Sequence, residues 1–256
     1  MTLELSVVVP CYNEAGNIPG LLERYRPLTK DTALELVLVD NGSSDGTGEA
    51  IDRELAKPEN SFARKAVVER NIGYGYGLQV GLETSIAPVT AISHADLQCP
   101  PEDCVAALKI YREKVKDGPC LIKGRRRGAR PFLDRCVTWF YNHLAVCVLG
   151  LRVHPVEGGG TRPPDLNAEP KLFDRALIRD LAHGPKDFTY DMYALHLAHT
   201  KGWRIYEFDV GYETRQWGKS KLAANPWVRF KTSLNALVKM FQFRRDPAAK
   251  RQIPRA

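Results

Sequence analysis

The sequence has no CxxC pair, no internal repeat and no low-complexity segment. Its six cysteines (Cys11, Cys99, Cys104, Cys120, Cys136 and Cys147) are scattered along 256 residues without a compact framework. That excludes a disulfide-stapled secreted scaffold and favours reduced thiols in a cytoplasmic setting. The start, Met1-Thr2-Leu3-Glu4-Leu5, has no basic segment ahead of a greasy one, so no signal peptide is read there. A membrane span needs about 20 apolar residues. The longest run without charge, Cys136 to Leu151, is shorter and contains Asn142 and His143, so no crossing is expected. A Gly-rich cradle for a triphosphate is also missing, which argues against a nucleotidyltransferase.

Acid is scarce at one end only. From Arg215 onward eleven Lys or Arg face a single acid, Asp246, for a net charge of +10. The first 214 residues carry 26 basic and 29 acidic groups and are close to neutral. Such a tail suits an anionic surface, either phospholipid or nucleic acid. No aromatic-basic recognition module lies outside the tail, so nucleic acid is not expected as a partner. The stretch Trp227–Arg245 interleaves aromatic and aliphatic residues with Lys and Arg, the composition of an interfacial anchor, with core packing as the competing reading.

With 44% hydrophobic residues the chain can bury a large core. Short β-rich runs, Leu5–Val9, Glu35–Val39, Ala66–Glu69, Val89–Ser93 and Cys120–Lys123, alternate with helical patterns at Ile18–Tyr25, Gly48–Leu55, Gly75–Ser85 and Glu102–Val115. The strand runs are continuously apolar, as strands covered on both faces must be. This spacing predicts an α/β fold with a mostly parallel twisted sheet and flanking helices. Beyond Lys123 the pattern turns helical, at Phe132–Leu149, Asp174–Ala182 and Thr189–Lys201, with one more strand at Trp203–Phe208. We divide the chain into a body, 1–221, with halves at 1–124 and 125–221, and a basic amphipathic tail, 222–256.

Ligands of an open parallel sheet bind beyond the carboxyl ends of its strands. Polar clusters fall at those places: Pro10-Cys11-Tyr12-Asn13-Glu14, then Asp40-Asn41-Gly42-Ser43-Ser44-Asp45-Gly46-Thr47, then His94-Ala95-Asp96-Leu97-Gln98. In an extended segment His94, Asp96 and Gln98 share one face. Asp96 suits Mg²⁺ or Mn²⁺ carried on a diphosphate, because such ions take only one or two protein carboxylates. Asp40 can accept bonds from a base or ribose. The basic run from Lys123 to Arg135 follows a strand on the same edge and fits phosphate. Asp191, with Asp187 next, is the candidate base for a hydroxyl acceptor; the alternative is a helix-end aspartate that only caps. The glycines of Gly73-Tyr74-Gly75-Tyr76-Gly77 read as close helix–sheet packing, and His196 and His199 as packing or surface residues.

The runs VVVPCYNE, VDNGSSDGT, NIGYGYGLQVGL, HADLQCPPED, AEPKLFDR and TRQWGKSK resemble the family 2 glycosyltransferases, nearest the dolichyl- or polyprenyl-phosphate mannose synthase branch. The resemblance extends to about Lys221. It implies a GT-A, Rossmann-like nucleotide-sugar-binding fold with helical additions on the acceptor side, and a GDP-mannose or UDP-sugar donor. It implies inverting transfer of a mannose- or glucose-type sugar to a polyprenyl phosphate, peripherally on the cytoplasmic face of a membrane. A glycan or protein hydroxyl acceptor is the alternative. Carried over by position, Pro10, Tyr12, Asn13, Glu14, Asp40 and Asn41 would line the nucleotide. Asp96 and Gln98, with His94, would hold the metal, and Arg125, Arg215 and Lys219 would face phosphates. His94 stands where an aspartate is usual and Asn41 where an acid is common.

Overall fold

A computed structural model describes residues 2–127, 132–156, 164–211, 213 and 226–245. Among the described residues eight strands form one sheet: β1 (Leu5–Cys11), β2 (Leu34–Asn41), β3 (Ala63–Val68), β4 (Val89–Ile92), β5 (Cys120–Arg126), β6 (Val153–Pro155), β7 (Lys171–Asp174) and β8 (Arg204–Val210). Their spatial order is β3-β2-β1-β4-β7-β5-β8-β6, and only β7 runs antiparallel to its neighbours. The mostly parallel α/β sheet expected from the sequence is therefore present.

Period-two alternation sorts the side chains of the central strands into two cores. Leu5, Val7, Val9, Leu36 and Leu38 face the layer of α1 (Ile18–Tyr25), α2 (Thr47–Leu55) and α4 (Glu102–Lys114). Val8, Val37 and Val39 face the layer of α3 (Tyr74–Thr84), α5 (Phe132–Leu149), α7 (Tyr190–Thr200) and α8 (Pro226–Arg245). None of the six cysteines is disulfide-bonded. Among the described residues no helix is long and apolar enough to cross a membrane.

The sequence pattern misses two short strands. Asp174–Ala182, expected to be helical, is so from Arg175 to Leu181, but the antiparallel strand β7 just before it, Lys171–Asp174, was not foreseen. Asp174 then accepts the Ala176 amide at 2.7 Å and starts a tight turn into the one-turn helix α6 (Ile178–Leu181). The three-residue β6 was not foreseen either. The expected amphipathic helix at 227–245 forms, with Ala236, Met240 and Phe243 buried. His196 Nε2 donates to the Phe243 carbonyl at 3.0 Å and so helps to dock that helix.

The glycines of α3 let its backbone lie against the sheet. A Cβ on Gly81 would meet Val8 Cγ1 at 2.4 Å and Val39 Cγ2 at 2.6 Å, both in the core. Gly81→Ala is therefore expected to destabilise the protein by about 1–3 kcal/mol through overpacking. Denaturant unfolding would measure this, and an unchanged midpoint would contradict the close packing.

Candidate active site at the carboxyl edge of the sheet

The loops after β1 and β2 are bonded into one cradle. Asn13, at φ 55°, donates its backbone N–H to Ser43 Oγ (3.1 Å), and its side-chain carbonyl accepts the Ser44 amide (2.9 Å). Glu14 donates its N–H to Thr47 Oγ1 (2.8 Å), and Ala15 donates to Asp45 Oδ2 (3.2 Å). Burial opposes ionisation of Asp45, but the Thr47 hydroxyl and the amides of Ala15 and Thr47 outweigh it and hold the carboxyl below its ordinary range. Asp40 accepts the Ser43 amide (3.1 Å), and Gly48 leaves room beside it: a Cβ there would sit 2.5 Å from Asp40 Oδ2. Tyr12 is exposed on the rim. Cys11 pairs in register with Asp40, and burial, with Glu14 and Asp40 nearby, pushes its thiol up, so it stays protonated.

Asn41 departs from the expected nucleotide contact. Its side chain is 2% exposed, turns under α3, donates to the Gly73 carbonyl (3.2 Å) and packs on Gly77. It links the β2 loop to α3, because the last residue of a strand covered on both faces follows the pleat inward.

β1 lies between β2 and β4, and Ser93 continues the β4 pairing by donating to the Val8 carbonyl. Asp40 and Asp96 therefore sit on the same edge of the sheet, on opposite sides of β1. The segment after β4 turns rather than extends, with Leu97 at φ 58°. Burial still alternates along it: Ala95, Leu97 and Cys99 are buried, while His94, Asp96 and Gln98 are partly exposed. Asp96 accepts the Gln98 amide (3.2 Å), and Gln98 Nε2 donates to the Glu213 carbonyl (3.3 Å). That bond engages the nitrogen of the Gln98 amide, so its oxygen is the atom that could face a cation. Burial pushes the His94 imidazole down, against the pull of Asp96 and Asp191 and with Lys171 and Arg126 assisting, so the ring is neutral. Among the described residues no group of three or more His, Cys, Asp or Glu would chelate an ion unaided. The donor set fits a cation that brings phosphate ligands with it.

The basic run is more committed than its sequence suggests. Lys123 is fully buried against Glu207 (2.5 Å). Arg125, expected to face phosphate, donates instead to Asp209 (2.7 Å), and that bond holds the Asp209 carboxyl below its ordinary range. Arg127 also pairs with Asp209. Alternation along β5 sends Arg126 the other way, where it grips Asp165 through two nitrogens (2.8 and 2.7 Å) and acts electrostatically on His94. Arg215 and Lys219 lie outside the described residues.

Behind His94 is a group that sequence reading did not assemble. Lys171 on β7 is fully buried, 2.8 Å from Glu169 Oε1 and 3.3 Å from Asp191 Oδ1. Tyr74 faces Asp191, lies 6.1 Å from the His94 ring and stacks at 5.3 Å on the exposed Phe188. Asp191 is thus a buried, ion-paired group beside the site rather than an exposed helix cap. Asp187, by contrast, caps: it accepts from the Thr189 hydroxyl and amide and ties to Asn235 of α8 (2.8 Å). No local signal marked the group, because the run that carries Lys171, KLFD, is half charged and was not read as a strand.

The glycosyl transferase family 2 model matches residues 6–196. Undecaprenyl-phosphate 4-deoxy-4-formamido-L-arabinose transferase of Pectobacterium carotovorum is 25% identical over 219 residues, 85% of this chain and 62% of that protein. Dodecaprenyl-phosphate galacturonate synthase of Rhizobium johnstonii is 30% identical over 157 residues, 60% of this chain and 45% of that protein. The chain thus spans less than two thirds of the length of these curated relatives. In fold it is similar to glucosyl-3-phosphoglycerate synthase from Mycobacterium tuberculosis, solved with Mn²⁺, uridine diphosphate and phosphoglyceric acid. That match has a TM-score of 0.64 at 18% identity, covering 95% of this chain and 78% of that one. The motif order read along the sequence, the GT-A type of sheet and a family match running from Ser6 to His196 agree: the chain belongs to glycosyl transferase family 2.

Proposed function

We propose that this chain transfers a mannose- or glucose-type sugar from a GDP- or UDP-linked donor to a polyprenyl phosphate, with inversion, at the cytoplasmic face of a membrane. The observation that carries the reading is the cradle joining the β1 and β2 loops, with Asp40 on one side of β1 and Asp96 on the other. Pro10, Tyr12, Asn13, Glu14 and Asp40 receive the nucleoside. Asp96 and the Gln98 carbonyl, with His94 beside them, would hold a Mn²⁺ or Mg²⁺ carried on the diphosphate. When bound, such a cation would supply positive charge to offset that of the leaving diphosphate.

The lipid-phosphate acceptor is supported by the names of the two relatives and by the outer surface. Along α8, Leu234, Val238 and Phe241 form an exposed stripe at helical spacing, with Lys231, Arg244 and Arg245 also exposed. α5 adds exposed Trp139 and Phe140. Apolar residues flanked by cations suit peripheral binding to an anionic leaflet. Cytoplasmic placement rests on the six unpaired cysteines.

The test is transfer from GDP- and UDP-hexoses to undecaprenyl phosphate with Mn²⁺, and its loss on chelation. An ionised lipid phosphate needs no base, so Asp191→Asn should keep kcat within about tenfold. A hydroxyl acceptor that relied on Asp191 would lose about 10²–10⁴. A large loss together with turnover on a hydroxyl acceptor would replace the lipid reading.

A further inference from the structure

Glu169, Lys171 and Asp191 lie side by side in the interior, the first two fully buried and Asp191 5% exposed. One ammonium between two carboxylates leaves one buried negative charge uncompensated, which is costly in a dry interior. Glu169 Oε2 and Tyr74 Oη are buried without a hydrogen-bond partner, and Asp191 Oδ1 faces the Lys171 ammonium at 3.3 Å. The two carboxyls converge on that one ammonium, Glu169 at 2.8 Å, and Asp191 raises both Glu169 and Tyr74 electrostatically.

We propose that Glu169 and Asp191 hold one hydrogen between them, with Glu169 as the acid, and that this pair and Lys171 form a charge-neutral anchor fixing Asp191 on the acceptor side of the site. The acceptor side rests on the function proposed above. One hydrogen settles both problems. It turns a repulsive contact between two acceptors into an O–H···O⁻ bond and cancels the surplus charge. Burial, aided by Asp191 and opposed by Lys171, raises Glu169 well above the ordinary carboxyl range.

Among the described residues the other cation at this corner of the site, Arg126, is already paired with Asp165. Tyr141 from α5 and Tyr190 from α7 face Asp191, and Cys99 faces Glu169; burial pushes all three up, so they keep their protons. Glu169 is a positioning residue that acts through Asp191. An anionic acceptor approaching this wall meets a carboxylate already balanced by Lys171, with no excess negative charge behind it.

Glu169→Gln keeps the shape and donor of the acid form, so it separates this proposal from ordinary core packing. Its turnover with undecaprenyl phosphate should stay within about threefold of wild type, whereas Glu169→Ala should lose several-fold more, up to the roughly tenfold limit set by Asp191→Asn. The infrared spectrum of the wild type near neutral pH should show a protonated-carboxyl band that Glu169→Gln lacks. Melting gives a third reading. A carboxyl whose folded pKa is raised contributes its stability fully below the unfolded value of 4.5 and loses it as pH rises through the folded value. The melting temperature of Glu169→Gln should therefore gain on wild type as pH rises.

A missing carboxyl band, or a Gln variant as damaged as the Ala variant, overturns the proposal. If Glu169→Ala does not fold, the band and the melting trend of Glu169→Gln decide. If wild type turns over no lipid acceptor, the proposed function fails, while the spectroscopic and melting arms still judge the shared hydrogen.

Discussion

Asp96→Ala is expected to lower kcat by at least about 100-fold, the scale seen when one preorganised group that stabilises transition-state charge is removed. Among the candidate ligands Asp96 is the one carboxylate. His94 is held neutral by burial, and Gln98 offers only an amide oxygen. Neither can replace a formal negative charge next to a divalent ion. The fold should hardly notice the change. Asp96 is partly exposed in a turn and bonds the Gln98 amide, so the stability cost should stay below about 1 kcal/mol. Transfer assays at several Mn²⁺ concentrations, run beside thermal melts, would check this. Full activity in a normally melting Asp96→Ala protein would remove the metal site from this loop. A smaller loss, restored by excess Mn²⁺, would mean that the donor diphosphate supplies most of the ligands.

The central strands and the cradle were legible in the sequence because both follow local rules. Continuous runs such as LSVVV and ELVLV can only be strands covered twice, and polar clusters directly after them must fall on one edge. β7 was not legible for the opposite reason. It is four residues long, two of them charged, and it exists because β4 and β5 leave an antiparallel slot between them. No window of sequence around Lys171 carries that information. The same non-local logic governs the charges. Lys123, Arg125, Arg126 and Arg127 look like a free basic run, yet alternation along β5 deals them to Glu207, Asp209 and Asp165, which lie 39 to 84 residues further along the chain. Asn41 reads as a site residue by its place in a polar loop, but the pleat turns it under α3. Position along the sequence located the polar edge of the sheet; which side chain points into it was decided by pairing across the sheet.

That pairing makes Lys171 the residue whose loss should harm folding most. Replacing it with methionine keeps the volume and removes the one cation shared by Glu169 and Asp191. Breaking a buried ion pair from one side costs about 3–5 kcal/mol, because a charge is left without compensation. For a chain of this size roughly 2–4 °C of melting temperature accompanies each kcal/mol, so the deficit should be on the order of 10 °C. The pH dependence identifies the cause. Without the ammonium both carboxyls are pushed to their acid forms in the folded state, so their folded pKa values lie above the unfolded ones. Stability is then highest below the unfolded carboxyl range and falls as pH rises through the folded values. The gap between variant and wild type should therefore narrow on acidification and widen toward neutral pH. Asp45, Asp187 and Asp209, all held low by hydrogen bonds, lose stability in acid in both proteins and cancel in the difference. A gap that stays constant with pH would mean that Lys171 contributes packing alone, and the charge argument for the whole buried group would fall with it.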